Sequence, residues 1–111
     1  MNIITRLEEA ILIAIWKIKD NAYGVAINKQ VSLSLNQNYS LGALYFSLDQ
    51  LLRKGYVTKN IQPVYHEKGG RSRTYYCLTD RGKEALQEVR SYQKSLWKGI
   101  SKVEFEVNKP E

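Results

Sequence analysis

The chain has 111 residues, 43% of them apolar and 25% charged, which is the composition of one small globular domain and excludes a low-complexity or collagen-like chain. Its 17 Lys and Arg against 11 Asp and Glu leave a net charge of +6, which suits a polyanionic partner. No apolar run approaches the about 18 residues of a membrane span, and one cysteine (Cys77) with one histidine (His66) excludes an internal disulfide and an ordinary zinc site. No cofactor is expected. The residues from Met1 to Thr5 lack a charged stretch followed by an apolar core and cleavage site, so a cytoplasmic protein without a membrane partner is expected. A chain this short buries only about 60–70% of its unfolded surface. Its core is therefore thin, and a partner subunit would help.

In chain order, Thr5 and Glu8 form a capping box that opens a first helix. Leu7, Ala10, Ile11, Ala14, Ile15 and Ile18 recur at helical spacing, and Leu12, Ile13 and Trp16 fill much of the remaining circumference. A helix apolar nearly all round must be buried on more than one side. Asn21 and Gly24 mark a break before a second helix, from about Tyr23 to Leu35. There Ala26, Ile27, Val31 and Leu35 should face inward, with Asn28, Lys29 and Ser32 outward. A polar turn, Asn36 to Tyr39, leads to Ser40, an N-cap for a third helix from Leu41 to about Lys54. Leu44, Leu48, Leu51 and Leu52 lie on one face of that helix, and Gly55 is placed for a left-handed stop.

The periodicity then changes. Tyr56 to Tyr65 and Arg73 to Thr79 have strand composition, and Gly69 and Gly70 between them mark a hairpin tip. Pro63 has no amide to donate and belongs at a bulge or an unpaired edge. Thr79 and Asp80 open a last helix carrying Ala85, Leu86, Val89, Tyr92, Leu96, Trp97, Ile100 and Val103. Beyond Glu104 the pattern weakens, and the tail is expected to fray.

Helix, helix, helix, hairpin, helix is the order of a winged helix-turn-helix with a long C-terminal helix: a mainly α fold with one small β-hairpin. The expected division is a DNA-binding unit over 1–79, a dimerisation helix over 80–104, and a tail over 105–111. Small residues at the start of the third helix (Ser40, Leu41, Gly42, Ala43) suit entry into the roughly 12 Å major groove, with Phe46 exposed beside it. Lys29, on the outer face of the second helix, is a candidate phosphate ligand. From Arg53 to Lys83 there are eight basic residues and two acidic ones, and the hairpin tip (Lys68, Gly69, Gly70, Arg71, Arg73) lies in the middle of that stretch. Leu86, Val89, Leu96, Ile100 and Val103 form a seam in three- and four-residue steps, so dimerisation through the last helix and the first (Ile4, Leu7, Ile11) is the economical reading.

The runs Ser40-Leu41-Gly42-Ala43-Leu44-Tyr45, Gly55-Tyr56-Val57 and Gly69-Gly70-Arg71-Ser72-Arg73-Thr74-Tyr75-Tyr76-Cys77-Leu78-Thr79-Asp80-Arg81-Gly82 resemble the recognition helix and wing of the PadR-like transcriptional regulators. Ala22-Tyr23-Gly24-Val25-Ala26-Ile27 resembles the start of their second helix, and the similarity spans about residues 7–97. The resemblance implies homodimers on palindromic operators, usually repressors, with the last helix exchanged between subunits. It places Tyr45 near the DNA backbone. In short members of the family the corresponding region forms a pocket for a small flat aromatic effector stacked on tryptophan, which here would be Tyr92, Gln93 and Trp97. Because Gln93 stands in the matching column and Trp97 lies one turn later, a core or interface role for Trp97 is the favoured expectation and the effector pocket the alternative. Family members often carry Pro-x-Thr where this chain has Leu41-Gly42-Ala43, which favours contacts to thymine methyls or through water over bidentate hydrogen bonds. Two rival readings keep the same fold: a winged helix adapted to protein contact, and a sequence-neutral architectural protein. An enzyme is not expected, because no phosphate-binding glycine loop or nucleophile–base pairing occurs.

Overall fold

The computed structural model describes residues 4–64 and 71–107. Three helices, α1 (Arg6–Ile18), α2 (Gly24–Leu35) and α3 (Leu41–Arg53), precede an antiparallel hairpin of β1 (Val57–Val64) and β2 (Arg71–Leu78), and α4 (Asp80–Leu96) follows. Short 3-10 turns occur at Lys19–Asn21 and Lys102–Phe105.

The local signals act where the chain places them. Thr5 and Glu8 make both halves of the capping box: the Glu8 amide donates to Thr5 Oγ1 at 3.0 Å and the Thr5 amide to Glu8 Oε1 at 2.8 Å. Asn36 ends α2 in the left-handed region, which asparagine tolerates. Ser40 Oγ accepts from the Ala43 amide at 3.1 Å and starts α3. Gly55, at φ +77°, turns the chain out of α3 into β1. The Thr79 hydroxyl donates to the Gly55 carbonyl at 2.6 Å and accepts from the Gly82 amide at 3.0 Å. One side chain thus caps α4 and ties it to the end of α3. Gly82 lies so close to the Tyr56 carbonyl that no Cβ fits there.

The core is one cluster drawn from α1, α2, α3, the hairpin base and the start of α4. Ile11, Leu12, Ile27, Val31, Leu44, Leu48 and Leu51 have no exposed surface. Glu8 is buried with them and forms an ion pair with Lys54, the C-cap of α3, at 2.8 Å. The register of the hairpin is unbroken from Val57↔Leu78 to Val64↔Arg71, so Pro63 sits opposite Ser72 on an edge strand and not at a bulge.

The structure corrects several expectations. Leu35 is 41% exposed, because α2 turns off at Asn36 before its last residue reaches the core. Asn28 is half-buried and not outward, and its Oδ1 lacks a hydrogen-bond partner. β2 starts at Arg71, two residues earlier than its composition suggested. The last helix ends at Leu96 and does not run on to Glu104: the chain breaks at Gly99, which has φ +81°. Ile100 lies beyond that break, and Val103 falls in the 3-10 turn, so the apolar seam is not one helical stripe over its whole length. Phe105 returns to meet Trp97 edge-on, ring centroids 5.5 Å apart.

The radius of gyration is 17.1 Å, against about 13 Å for a compact chain of ~100 residues. The cause is visible in α4. Gly82 and Ala85 are buried against the winged body, but every residue from Ser91 to Ile100 is exposed.

Candidate nucleic-acid interface

α3 is held by its inner face. With Leu44, Leu48 and Leu51 locked in the core, the 3.6-residue period turns Leu41, Gly42, Ala43, Tyr45 and Phe46 outward. Leu41 is 43% and Phe46 66% exposed, a protruding apolar edge at the start of a capped helix. Ser40 is exposed as well, but its hydroxyl is engaged as the cap. Lys29 is exposed on α2, one turn beyond exposed Val25.

Tyr45 is both packed and exposed. Its phenol lies directly on Gly24, the first residue of α2, where no side chain stands in the way. Tyr45 and Asp49 also adjoin the buried Tyr76, whose phenol is held above its ordinary pKa mainly by burial and secondarily by those two neighbours.

The wing is fastened to the helix-turn-helix by more than its own base. The Tyr76 amide donates to the Ala22 carbonyl at 2.8 Å, and Tyr23 forms an antiparallel bridge with Tyr75. Their rings meet edge-on at 5.8 Å. The exposed Arg73 guanidinium lies over the Tyr23 ring, 4.3 Å from its centroid. Lys68, Gly69 and Gly70 lie outside the described residues, and Arg71 is described only as the first residue of β2. The structure therefore brings together the start of α2, the outer face of α3 and Arg73 of the wing. Sequence patterning missed the part of Tyr23. Nothing in its spacing from Tyr75 or Arg73 signals the contact, since the pairing is long-range.

The residues expected at a dimer interface separate into two groups. Ile11 is fully buried within the single chain and has no surface left for a partner, and Ile4 is 6% exposed. For Ile11 this is a correction with a simple cause: the inner face of α1 is occupied by α2 and α3. Leu7, Leu86 and Val89 are half-buried against the core, whereas Leu96 (60%) and Ile100 stay exposed. Tyr92, Gln93 and Leu96 of α4 and Trp97 at its C-cap line an open groove of about 710 Å³, together with Ile4 just ahead of α1, Ile13 of α1 and Leu35 of α2. Among the described residues no cluster of His, Cys, Asp and Glu suits a metal ion, and no helix is long and apolar enough to cross a membrane.

Residues 11–88 match the model of the transcriptional regulator PadR-like family. No curated protein matches the chain. Among solved structures, RosR of H. salinarum is 26% identical over 88% of this chain and 81% of its own, with a TM-score of 0.65. A PadR-like transcription factor from Bacteroides fragilis is 27% identical over 81% of this chain and 82% of its own, with a TM-score of 0.64. A protein from Streptococcus mutans is 30% identical over 94% of this chain and 92% of its own, with a TM-score of 0.62.

Proposed function

Because this chain belongs to the PadR-like family of transcriptional regulators, and is a DNA-binding regulator of that kind, we propose that it acts as a homodimer on a palindromic operator and represses transcription there. The observation that carries this reading is the shared face of α3 and the wing. Leu41, Ala43 and Phe46 form an exposed edge of α3, and the start of α2 links that helix to the wing, with Tyr45 resting on Gly24 and Arg73 on the Tyr23 ring. In this reading α3 enters the major groove. Leu41, Ala43 and Phe46 offer apolar contact to thymine methyl groups, and Gly42 lets the backbone approach closely. Tyr45 and Lys29 contact the sugar-phosphate backbone, and Lys68, Gly69, Gly70, Arg71 and Arg73 follow it along the wing. Two such units present half-sites about one helical turn apart, roughly 34 Å centre to centre.

The dimer reading is supported by the free end of α4. Leu96, Trp97, Tyr92, Ile13 and Leu35 expose apolar surface along one groove, and contiguous exposed apolar surface marks an interaction site. A second chain seated there buries that surface through Leu7, Leu86, Val89, Leu96 and Ile100. The space beside Tyr92, Gln93 and Trp97, within the 300–1,000 Å³ range typical of small-molecule sites, then takes a small flat aromatic effector stacked on the indole. A cytoplasmic location goes with this role.

Selection of bound fragments from a random duplex library tests the function. A twofold-symmetric consensus is expected. Fragments bound without a consensus would make the protein a sequence-neutral binder, and no retained duplex at low salt would leave a protein-contact module. The wing is tested on the selected duplex: log affinity should fall linearly with log salt at about −0.9 per phosphate neutralised, and R71A/R73A should flatten that slope by nearly 2. An unchanged slope removes the wing from the mechanism.

A further inference from the structure

We propose that Tyr23 is a positioning residue for DNA binding: its ring holds the Arg73 guanidinium aimed outward from the wing before any duplex arrives. This rests on the DNA-binding reading above and adds to it a residue that no motif assigns. A two-stranded hairpin is marginal on its own and free to swing. Here β2 is pinned on its outer edge by the Tyr23↔Tyr75 bridge and the Tyr76-to-Ala22 hydrogen bond. The Tyr75 ring, edge-on to Tyr23, fixes the orientation of the ring on which Arg73 rests.

The chemistry of the holder matters. A carboxylate would orient an arginine but cancel its charge and compete with phosphate. Among the described residues the ion pairs are Lys54–Glu8 and Lys83–Asp80, and neither involves Arg73. An aromatic face attracts the cation while leaving its full charge and its hydrogen-bond donors for an incoming anion. Tyr23 also stands next to Gly24, on which Tyr45 of α3 rests. The start of α2 therefore sets the distance between the wing cation and the outer face of α3. Freeing a long side chain that binding must then immobilise should weaken affinity about three- to tenfold.

The test is a double-mutant cycle on a mixed-sequence 30-base-pair duplex at low salt, with Y23F, Y23L, R73A and Y23L/R73A. Y23F keeps the ring and should bind within about twofold of the parent. Y23L should lose about three- to tenfold, and Y23L/R73A should be no weaker than R73A alone, because an absent arginine needs no holder. In the NMR spectrum the Arg73 side-chain protons should be ring-shifted upfield in the parent and in Y23F, and return to ordinary positions in Y23L. Additive losses, or a Y23F as weak as Y23L, overturn the positioning role while leaving DNA binding intact. A parent protein that ignores the duplex overturns the DNA-binding reading itself and the role with it. If Y23L fails to fold, the parent's ring shift and the Y23F affinity still decide: an unshifted Arg73 refutes the proposal.

Discussion

The buried carboxylate of Glu8 is the most exacting feature for stability. It is 3% exposed, and three bonds converge on it: the Thr5 amide at 2.8 Å, and Lys54 Nζ at 3.0 Å to Oε1 and 2.8 Å to Oε2. Glu8→Ala removes three contributions. The reciprocal cap is worth about 1 kcal/mol. The lost side-chain methylene and its packing are worth about 1 kcal/mol. The ion pair would cost more if fully buried, but the Lys54 side chain is 33% exposed and can regain water, so its loss is discounted to about 1–2 kcal/mol. The sum is about 3–4 kcal/mol, a large share of the 5–15 kcal/mol typical of whole domains. At about 4 °C per kcal/mol, Tm should fall by about 12–16 °C. Glu8→Gln keeps the volume and an acceptor for the Thr5 amide, so it should cost only about 1–2 kcal/mol. Urea and thermal unfolding by circular dichroism measure both, at one fixed protomer concentration because dimerisation would add its own term. A Glu8→Ala loss under about 1 kcal/mol would refute the buried ion pair. Equal losses in the two variants would refute the cap contribution.

Gly24→Ala should leave stability within about 1 kcal/mol, since the half-exposed Tyr45 ring can swing out into solvent to make room, yet weaken duplex binding several-fold by displacing that tyrosine; a melting point lowered by more than about 10 °C would show instead that the ring is held in place. Burial holds the Tyr76 phenol above its ordinary pKa. The unfolded chain therefore gives up this proton first, and the contribution is intact below about pH 10 and lost as pH rises above it. Urea midpoints from pH 9 to 11 should fall less steeply in Tyr76→Phe than in the parent, and identical slopes would refute the assignment. Leu96→Asp places a charge on the exposed stretch of α4 and should shift the sedimentation mass from dimer to monomer; an unchanged dimer would exclude that stretch from the interface.

Local chemistry made much of this molecule readable before folding was considered. The Thr5–Glu8 box, the Ser40 and Thr79 caps and Gly55 each act within a few residues of themselves, so sequence alone located the helix starts and the entry to the hairpin. Periodicity placed Leu44, Leu48 and Leu51 inward and left Leu41 and Phe46 outward, because a helix fixes the direction of every side chain once one face is buried. Periodicity is silent about how many neighbours a face has. Ile11 looked like an interface residue and lies wholly inside one chain, while Leu35 looked internal and is exposed, since depth depends on which other helices arrive. The apolar repeat through Val103 suggested a helix that Gly99 interrupts. Above all, the Tyr23–Arg73 contact and the Lys54–Glu8 pair join residues about 50 positions apart. No local rule encodes them, and only the packing of α1 against α3, and of the start of α2 against the hairpin, brings them within reach.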